Sequence, residues 1–255
     1  ACARGDEVLG RELARLRAGL GPPADPPRML QAPVSFRVAG PVLAQVARAA
    51  AALDGAVERA LAGVTDSPAF LDGQFLGTAG FHGIDLAAHC DQLTAALAHA
   101  AEVSAARTHR LLDPRVTGLT AQLAARPGPD AGLVTVHKRA AGEVHALRRL
   151  AMPSATGTIE TAGGQEDVQS FAWAAATGLR AALRHTRLVT ACELLTAWQA
   201  AALAAAAGQP RVGPGTAASL IAAVSERVDP ILADRPLGPD IERLADDSWD
   251  PESGA

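Results

Sequence analysis

Tyrosine is absent from all 255 residues, aromatic residues make up only 3%, and methionine occurs twice. The apolar surface, 49% of the chain, therefore comes mostly from alanine, leucine and valine. Such residues favour helix. Strand-forming residues never gather into alternating runs bounded by turns, which excludes an all-β or α/β reading. The predicted class is all-α. Cysteine is scarce too: Cys2, Cys90 and Cys192 are widely spaced, odd in number and without a C-x-x-C arrangement. That excludes a disulfide frame or a cysteine metal site and predicts reduced thiols in a cytoplasmic protein. No block of basic charge stands out among 23 Lys+Arg against 27 Asp+Glu, net −4, so no nucleic-acid footprint is expected. The alanine-rich segments are broken by polar residues every few positions, and no membrane span is expected. No secretory signal is visible, and the chain begins at Ala1, which is compatible with a start that has been removed. A P-loop, a dinucleotide fingerprint, a nucleophile elbow and a zinc rule are all missing, and the histidines never take metal-binding spacing beside a carboxylate pair, so no metal is expected.

What is present is helical periodicity between strong breakers. Leu9, Leu13, Leu16 and Leu20 share one face of a first helix over about 6–20. A stiff Pro-rich linker follows at 21–27, then the irregular stretch 30–37, too short for a core helix. The next helix runs to about Val64 with Val46, Leu53, Val57 and Leu61 at helical spacing. Thr65-Asp66-Ser67-Pro68 breaks it, and a glycine-rich loop follows at 72–83. Further helices are predicted to about Leu112, over 133–150, over 165–207 and over 217–228. The longest, 165–207, would follow the turn Gly163-Gly164 with Thr161 as cap, placing Glu166 and Asp167 in its first turn, where the helix dipole favours acids. The organisation read from this is an N-terminal helix and linker at 1–27, a helical-bundle domain at 28–245 and an acidic tail at 246–255. Long helices with small apolar faces are not all covered within one chain, so an oligomer is expected.

Singly, the polar candidates are weak. Arg37 in a loop reads as a solvated charge, Phe81 among glycines as a hydrophobic anchor, His82 as a capping histidine, and Glu166 as an acid placed for helix stability. In order along the chain, however, six features form a pattern: Gln31-x-Pro-x-Ser-Phe-Arg37, Thr65-Asp-Ser-Pro68, Gly80-Phe-His-Gly83, Thr161-Ala-Gly-Gly-Gln-Glu-Asp167, Glu193-Leu-Leu-x-Ala-x-Gln199 and Asp234-Arg-Pro-Leu-Gly-Pro-Asp-Ile241. Together they resemble the C-terminal half of the histidine/phenylalanine/tyrosine ammonia-lyase and aminomutase family, over about 6–245.

The resemblance implies an all-α tetramer whose active sites combine residues from several subunits. It also implies an electrophilic methylidene-imidazolone (MIO) ring, formed where an internal Ala-Ser-Gly cyclises. Carried onto this chain, Arg37 would hold the substrate carboxylate and Gln31 would hydrogen-bond near the same end. Phe81 would line the pocket against the substrate ring and the prosthetic group. Gln165 would contribute to the substrate site, and Glu166 would contact the polar end of the substrate or its departing amine. The Gln-Glu-Asp form leans toward histidine lyases.

Three departures bear on the function. No Ala-Ser-Gly occurs in the 255 residues, and the tyrosine that serves the family as base is missing. Val34 stands where the family usually has a tyrosine. The reading is therefore one half of a split ammonia-lyase or aminomutase: inactive alone, with MIO and the base on a partner chain, in a heterotetramer of halves or larger. A non-catalytic partner that stabilises a paralogue is the alternative from another class, and a cleaved piece of a longer lyase is a third.

Overall fold

The computed structural model describes residues 3–20, 30–209 and 215–246; the predicted linker at 21–27 and the acidic end from 247 onward lie outside them. In chain order the helices are α1 (Glu7–Leu20), α2 (Val34–Arg37), α3 (Ala39–Ala62), α4 (Ile84–Leu111), α5 (Pro114–Thr117), α6 (Val134–Leu150), α7 (Ala172–Ala206), α8 (Thr216–Ser225) and α9 (Gly238–Leu244). The all-α class is as predicted. The chain divides into two compact units: Ala1–Ala44, Ala100–His145 and Arg184–Ala255 form the first, Gln45–His99 and Ala146–Leu183 the second. The division falls inside α3, α4, α6 and α7.

In the first unit, Asp6 caps α1 by accepting from the Leu9 amide at 3.0 Å. The predicted leucine face is used: a Cβ added at Gly40 would fall 2.6 Å from the Leu13 side chain and 3.6 Å from Leu9, so α1 lies close on the start of α3 because residue 40 has no side chain. Asp113 stops α4 and caps α5, its carboxylate accepting from the Arg115 amide at 2.9 Å. The core of this unit gathers Leu123, Leu133, Val136, Val189, Leu195 and Val224, all essentially inaccessible. Fully buried among them, Gln199 donates to the carbonyls of Leu123 at 3.3 Å and Ile231 at 2.9 Å and accepts from the Ile231 amide at 2.9 Å. Asp234 clasps the turn before α6 by accepting from the amides of Ala131 at 2.8 Å and Gly132 at 3.0 Å. Asp240, almost wholly buried, accepts from Arg235 and, at 2.6 Å, from Arg243.

The second unit is held by Ala49, Ala87, Cys90, Leu93, Leu97, Ala175 and Leu179. Ala49 on α3, Ala87 and Leu93 on α4, and Ala175 and Leu179 on α7 meet in this cluster. Asp91 on α4 accepts from the amides of Ser154 at 2.8 Å and Ala155 at 3.4 Å, which ties down the chain beyond α6.

Three expectations are corrected. The glycine-rich loop at 72–83 contains an antiparallel hairpin, β1 (Ala69–Leu71) with β2 (Gln74–Leu76), closed by Asp72-Gly73. Both turn residues have positive φ, 51° and 82°, as a two-residue hairpin turn requires. The long helix starts at Ala172, not near Gln165, so Glu166 and Asp167 do not lie in its first turn. The residues before it are committed elsewhere: Thr161 and Glu166 exchange backbone hydrogen bonds at 2.8 and 3.3 Å across the turn Ala162–Gly164, and Phe171 has φ 52° immediately ahead of α7. Finally, α7 is long and apolar enough to cross a membrane by length and composition, with a window of mean hydropathy 1.4, contrary to the expectation that no such run exists. It nonetheless carries Glu193, Thr196 and Gln199, each hydrogen-bonded within the first unit, which is the pattern of a core helix.

Burial also sets the thiol chemistry. Desolvation pushes the Cys192 thiol from an ordinary 9.0 up to about 12, and Cys90 is raised by burial and then by Asp91. Because only the unfolded chain ionises Cys192 readily, the fold is expected to lose stability as pH climbs from 9.0 toward about 12. Native chain treated with an aromatic disulfide at mildly alkaline pH should leave Cys90 and Cys192 unmodified until denaturant is added, as peptide mapping would show. Rapid native labelling of Cys192 would contradict its burial.

Candidate active site

Three predicted site residues lie in the first unit. Pro33 precedes the one-turn helix α2, whose φ of −51° at Pro33 suits a helix start. Val34 and Arg37 sit three residues apart on that turn and share a face. Gln31, Val34 and Arg37 are all exposed, Val34 by 59%. The Arg37 Nε donates to the Ala32 carbonyl at 2.9 Å, which fixes the plane of the guanidinium. Its two Nη groups have no hydrogen-bond partner among the described residues. A planar fork with four free N–H donors is suited to a carboxylate.

The other three lie in the second unit. Phe81 sits at the centre of a 3-10 turn, Gly80–His82, and is 62% exposed. Gly83 ends that turn at φ +67°, and its carbonyl starts α4 by accepting from Ala87 at 3.1 Å. Gly80 is required for a different reason: an added Cβ would fall 1.9 Å from the Val64 carbonyl oxygen. Gly80→Ala is expected to cost about 3 kcal/mol as backbone is forced off backbone. The melting temperature should fall, and amide exchange should rise at 79–83; an unchanged melting temperature would contradict the close approach.

Gln165 and Glu166 stand on the loop before α7. The Glu166 carboxylate accepts from the Thr161 hydroxyl at 3.2 Å, and its carbonyl accepts from Gln169 Nε2 at 3.0 Å. Thr158 and Gln169 close the base of the loop, the Gln169 amide donating to the Thr158 hydroxyl at 3.2 Å. Ser170 donates its hydroxyl to the His82 carbonyl and so joins the Glu166 loop to the Phe81 turn. His82 thus serves through its backbone. Sequence reasoning missed Thr158, Gln169 and Ser170 as holders of this loop. Their signal was a polar, turn-bounded stretch where a helix start was expected. A helix dipole aimed from Gln165 is not part of the site.

Two further cavities lie in the first unit, away from these residues. One of about 890 Å³ runs between α1 and α8, lined by Leu16, Gly19, Leu20, Leu43, Ala217 and Leu220 among others. The other, about 350 Å³ and polar, surrounds Asp240 with Arg227, Arg235 and Arg243.

Residues 4–226 match the model of the aromatic amino acid lyase family. This chain belongs to that family. It is 33% identical over 249 residues to the histidine ammonia-lyase of Symbiobacterium thermophilum, covering 95% of this chain and 48% of that enzyme. Its fold superposes with a TM-score of 0.86 on the ergothionase of Treponema denticola, solved with desmethyl-ergothioneine sulfonic acid, at 26% identity over 96% of this chain and 50% of that one. The tyrosine aminomutase of Streptomyces globisporus gives a TM-score of 0.79 at 25% identity, covering 93% of this chain and 45% of that one. The chain spans about half the length of the relatives it matches.

Within this lyase-family chain, two of the six sequence features are structural. Asp234, Arg235 and Asp240 clasp and brace a turn, and Gln199 fills the first unit's core.

Proposed function

We propose that this chain supplies substrate-binding residues to an ammonia-lyase or aminomutase acting on an aromatic or histidine-like α-amino acid. The observation that carries it is Arg37: a guanidinium anchored at Nε by Ala32, with its Nη face free among the described residues. Arg37 binds the substrate carboxylate and orients the β-carbon, Gln31 adds a hydrogen bond at that end, and Val34 lies on the same turn. Phe81 presents an exposed ring to the substrate and to the prosthetic group. Glu166, held by Thr161, meets the amine end. Gln165 beside it is exposed and polar.

The 255 residues hold neither Ala-Ser-Gly nor tyrosine, so an MIO group would be supplied by residues outside them. When bound, it supplies an electrophile for the substrate. Both MIO and the base come from a partner chain, in a heterotetramer of halves or a larger assembly, within the cytoplasm. Exposed apolar side chains such as Leu61 at 77%, Phe75 at 73% and Trp173 at 87% support burial against other chains. The Gln-Glu-Asp sequence, together with the likeness to a histidine ammonia-lyase, favours histidine as substrate.

Co-expression with a lyase segment bearing Ala-Ser-Gly tests this. Conversion of histidine, phenylalanine or tyrosine to the α,β-unsaturated acid, or to the β-amino acid, supports the reading. An assembled complex that converts none of them overturns it. Val34, an aliphatic side chain at an exposed site position, favours a second reading, a non-catalytic partner that stabilises an active paralogue.

A further inference from the structure

The carbonyls of a one-turn helix run out of backbone donors at its C-terminal end. In α2 the Val34 carbonyl is taken by the Val38 amide at 3.0 Å. The Ser35 carbonyl instead receives Nη1 of Arg107, about one turn from the C-terminal end of α4, at 3.3 Å. That guanidinium is itself clamped by Glu193 on α7. Nε reaches one carboxylate oxygen at 2.5 Å and Nη2 the other at 2.8 Å, while the Ser104 hydroxyl donates to Glu193 at 2.5 Å. One turn further along α4, Thr108 returns a hydroxyl to the Ser104 carbonyl at 3.1 Å. The Arg107 and Glu193 side chains are each only 22% exposed.

We propose that Arg107 is a positioning residue for Arg37: Glu193 and Ser104 lock its guanidinium, and its remaining N–H group pins the Ser35 carbonyl and thereby the turn that presents Arg37. This rests on the reading of Arg37 as the carboxylate-binding residue. An ordinary interhelical ion pair would tie α4 to α7 through the two Glu193 oxygens alone. Here the third edge of the fork is spent on a backbone carbonyl two residues before Arg37. Planarity matters: with Nε and Nη2 held side-on by the carboxylate, Nη1 has one direction left to point. A lysine keeps the charge but not that geometry. Glu193 also compensates the Arg107 charge, so the turn is held without adding a second unpaired cation to it.

Arg107→Met in the assembled, catalytically competent complex is expected to lower kcat/KM about 10- to 100-fold, mainly through KM, because a misdirected Arg37 loses carboxylate binding. Arg107→Lys should recover little. The deciding readout is the double variant with Arg37→Ala. If Arg107 acts through Arg37, Arg107→Met adds nothing once Arg37 is gone; if its role is merely structural, the two losses multiply. In the chain alone, Arg107→Met should speed amide exchange at Phe36 and Val38 while leaving the core helices protected. Where Arg107→Met does not fold, Arg107→Met with Glu193→Gln removes both charges together and carries the same tests. Full activity of Arg107→Met beside an inactive Arg37→Ala overturns the positioning role alone. Full activity of Arg37→Ala overturns the underlying site reading. Unchanged exchange at 36–38 overturns the positioning role whether or not activity is measured.

Discussion

Arg37→Ala should cut kcat/KM of the assembled enzyme by about 1,000-fold, roughly 4 kcal/mol, the scale of a lost bidentate, charge-assisted pair with a carboxylate. KM should rise because the carboxylate is bound in the ground state as well. The turnover number should fall too, because the same contact places the β-carbon against the base. Arg37→Lys is expected to restore only part of the loss, since an ammonium lacks the planar fork that Ala32 orients at 2.9 Å. Steady-state kinetics with size-exclusion chromatography on the same samples separates catalysis from assembly. Wild-type activity from an intact Arg37→Ala complex would remove Arg37 from the site.

Gln199→Leu carries the largest expected effect on stability. The side chain is fully buried and satisfies two carbonyls and one amide that no solvent reaches: those of Leu123 and Ile231, and the Ile231 N–H. Leucine fills much the same volume but leaves all three groups unpaired. At about 1–3 kcal/mol for each such group, with partial relaxation, the loss is about 4 kcal/mol. In a chain of this size that corresponds to a melting temperature lower by about 10 °C. Denaturant titration should show a lower midpoint at an unchanged slope. A shift within experimental error would mean that the three backbone groups find other partners.

Where apolar spacing alone decides, the fold was legible in the sequence. The α1 face of Leu9 and Leu13 meets Gly40, and α3 and α4 end within a few residues of the predicted bounds, whereas the short α5 that Asp113 caps was not predicted. Legibility failed where backbone geometry outweighs composition. Ala69–Leu71 and Gln74–Leu76 are too short to show alternation, and only Asp72-Gly73 signalled the turn between them. Ahead of α7, the capping signature at Thr161 was real, but it is spent on Glu166 across the loop instead of on a helix.

The site divides in the same way. Arg37, Glu166 and Phe81 were proposed through a resemblance of ordered motifs, and the structure places Gln31, Val34 and Arg37 on one unit and Phe81, Gln165 and Glu166 on the other. What the chain pattern did not reveal is what holds them. Arg107 lies 72 residues from the Ser35 carbonyl it touches, and Ser170 lies 88 from the His82 carbonyl. Contacts of that separation leave no periodicity to read.

The partner-chain reading is tested most directly by the intact mass of the natively purified complex, measured under denaturing and then native conditions. A second polypeptide, lighter than its own sequence by two water molecules and held in one assembly with this chain, is the expected result. Such a mass deficit identifies a cyclised Ala-Ser-Gly. An assembly of this chain alone, with no polypeptide of that kind, would contradict the reading, and so would the same deficit found on a longer form of this very polypeptide.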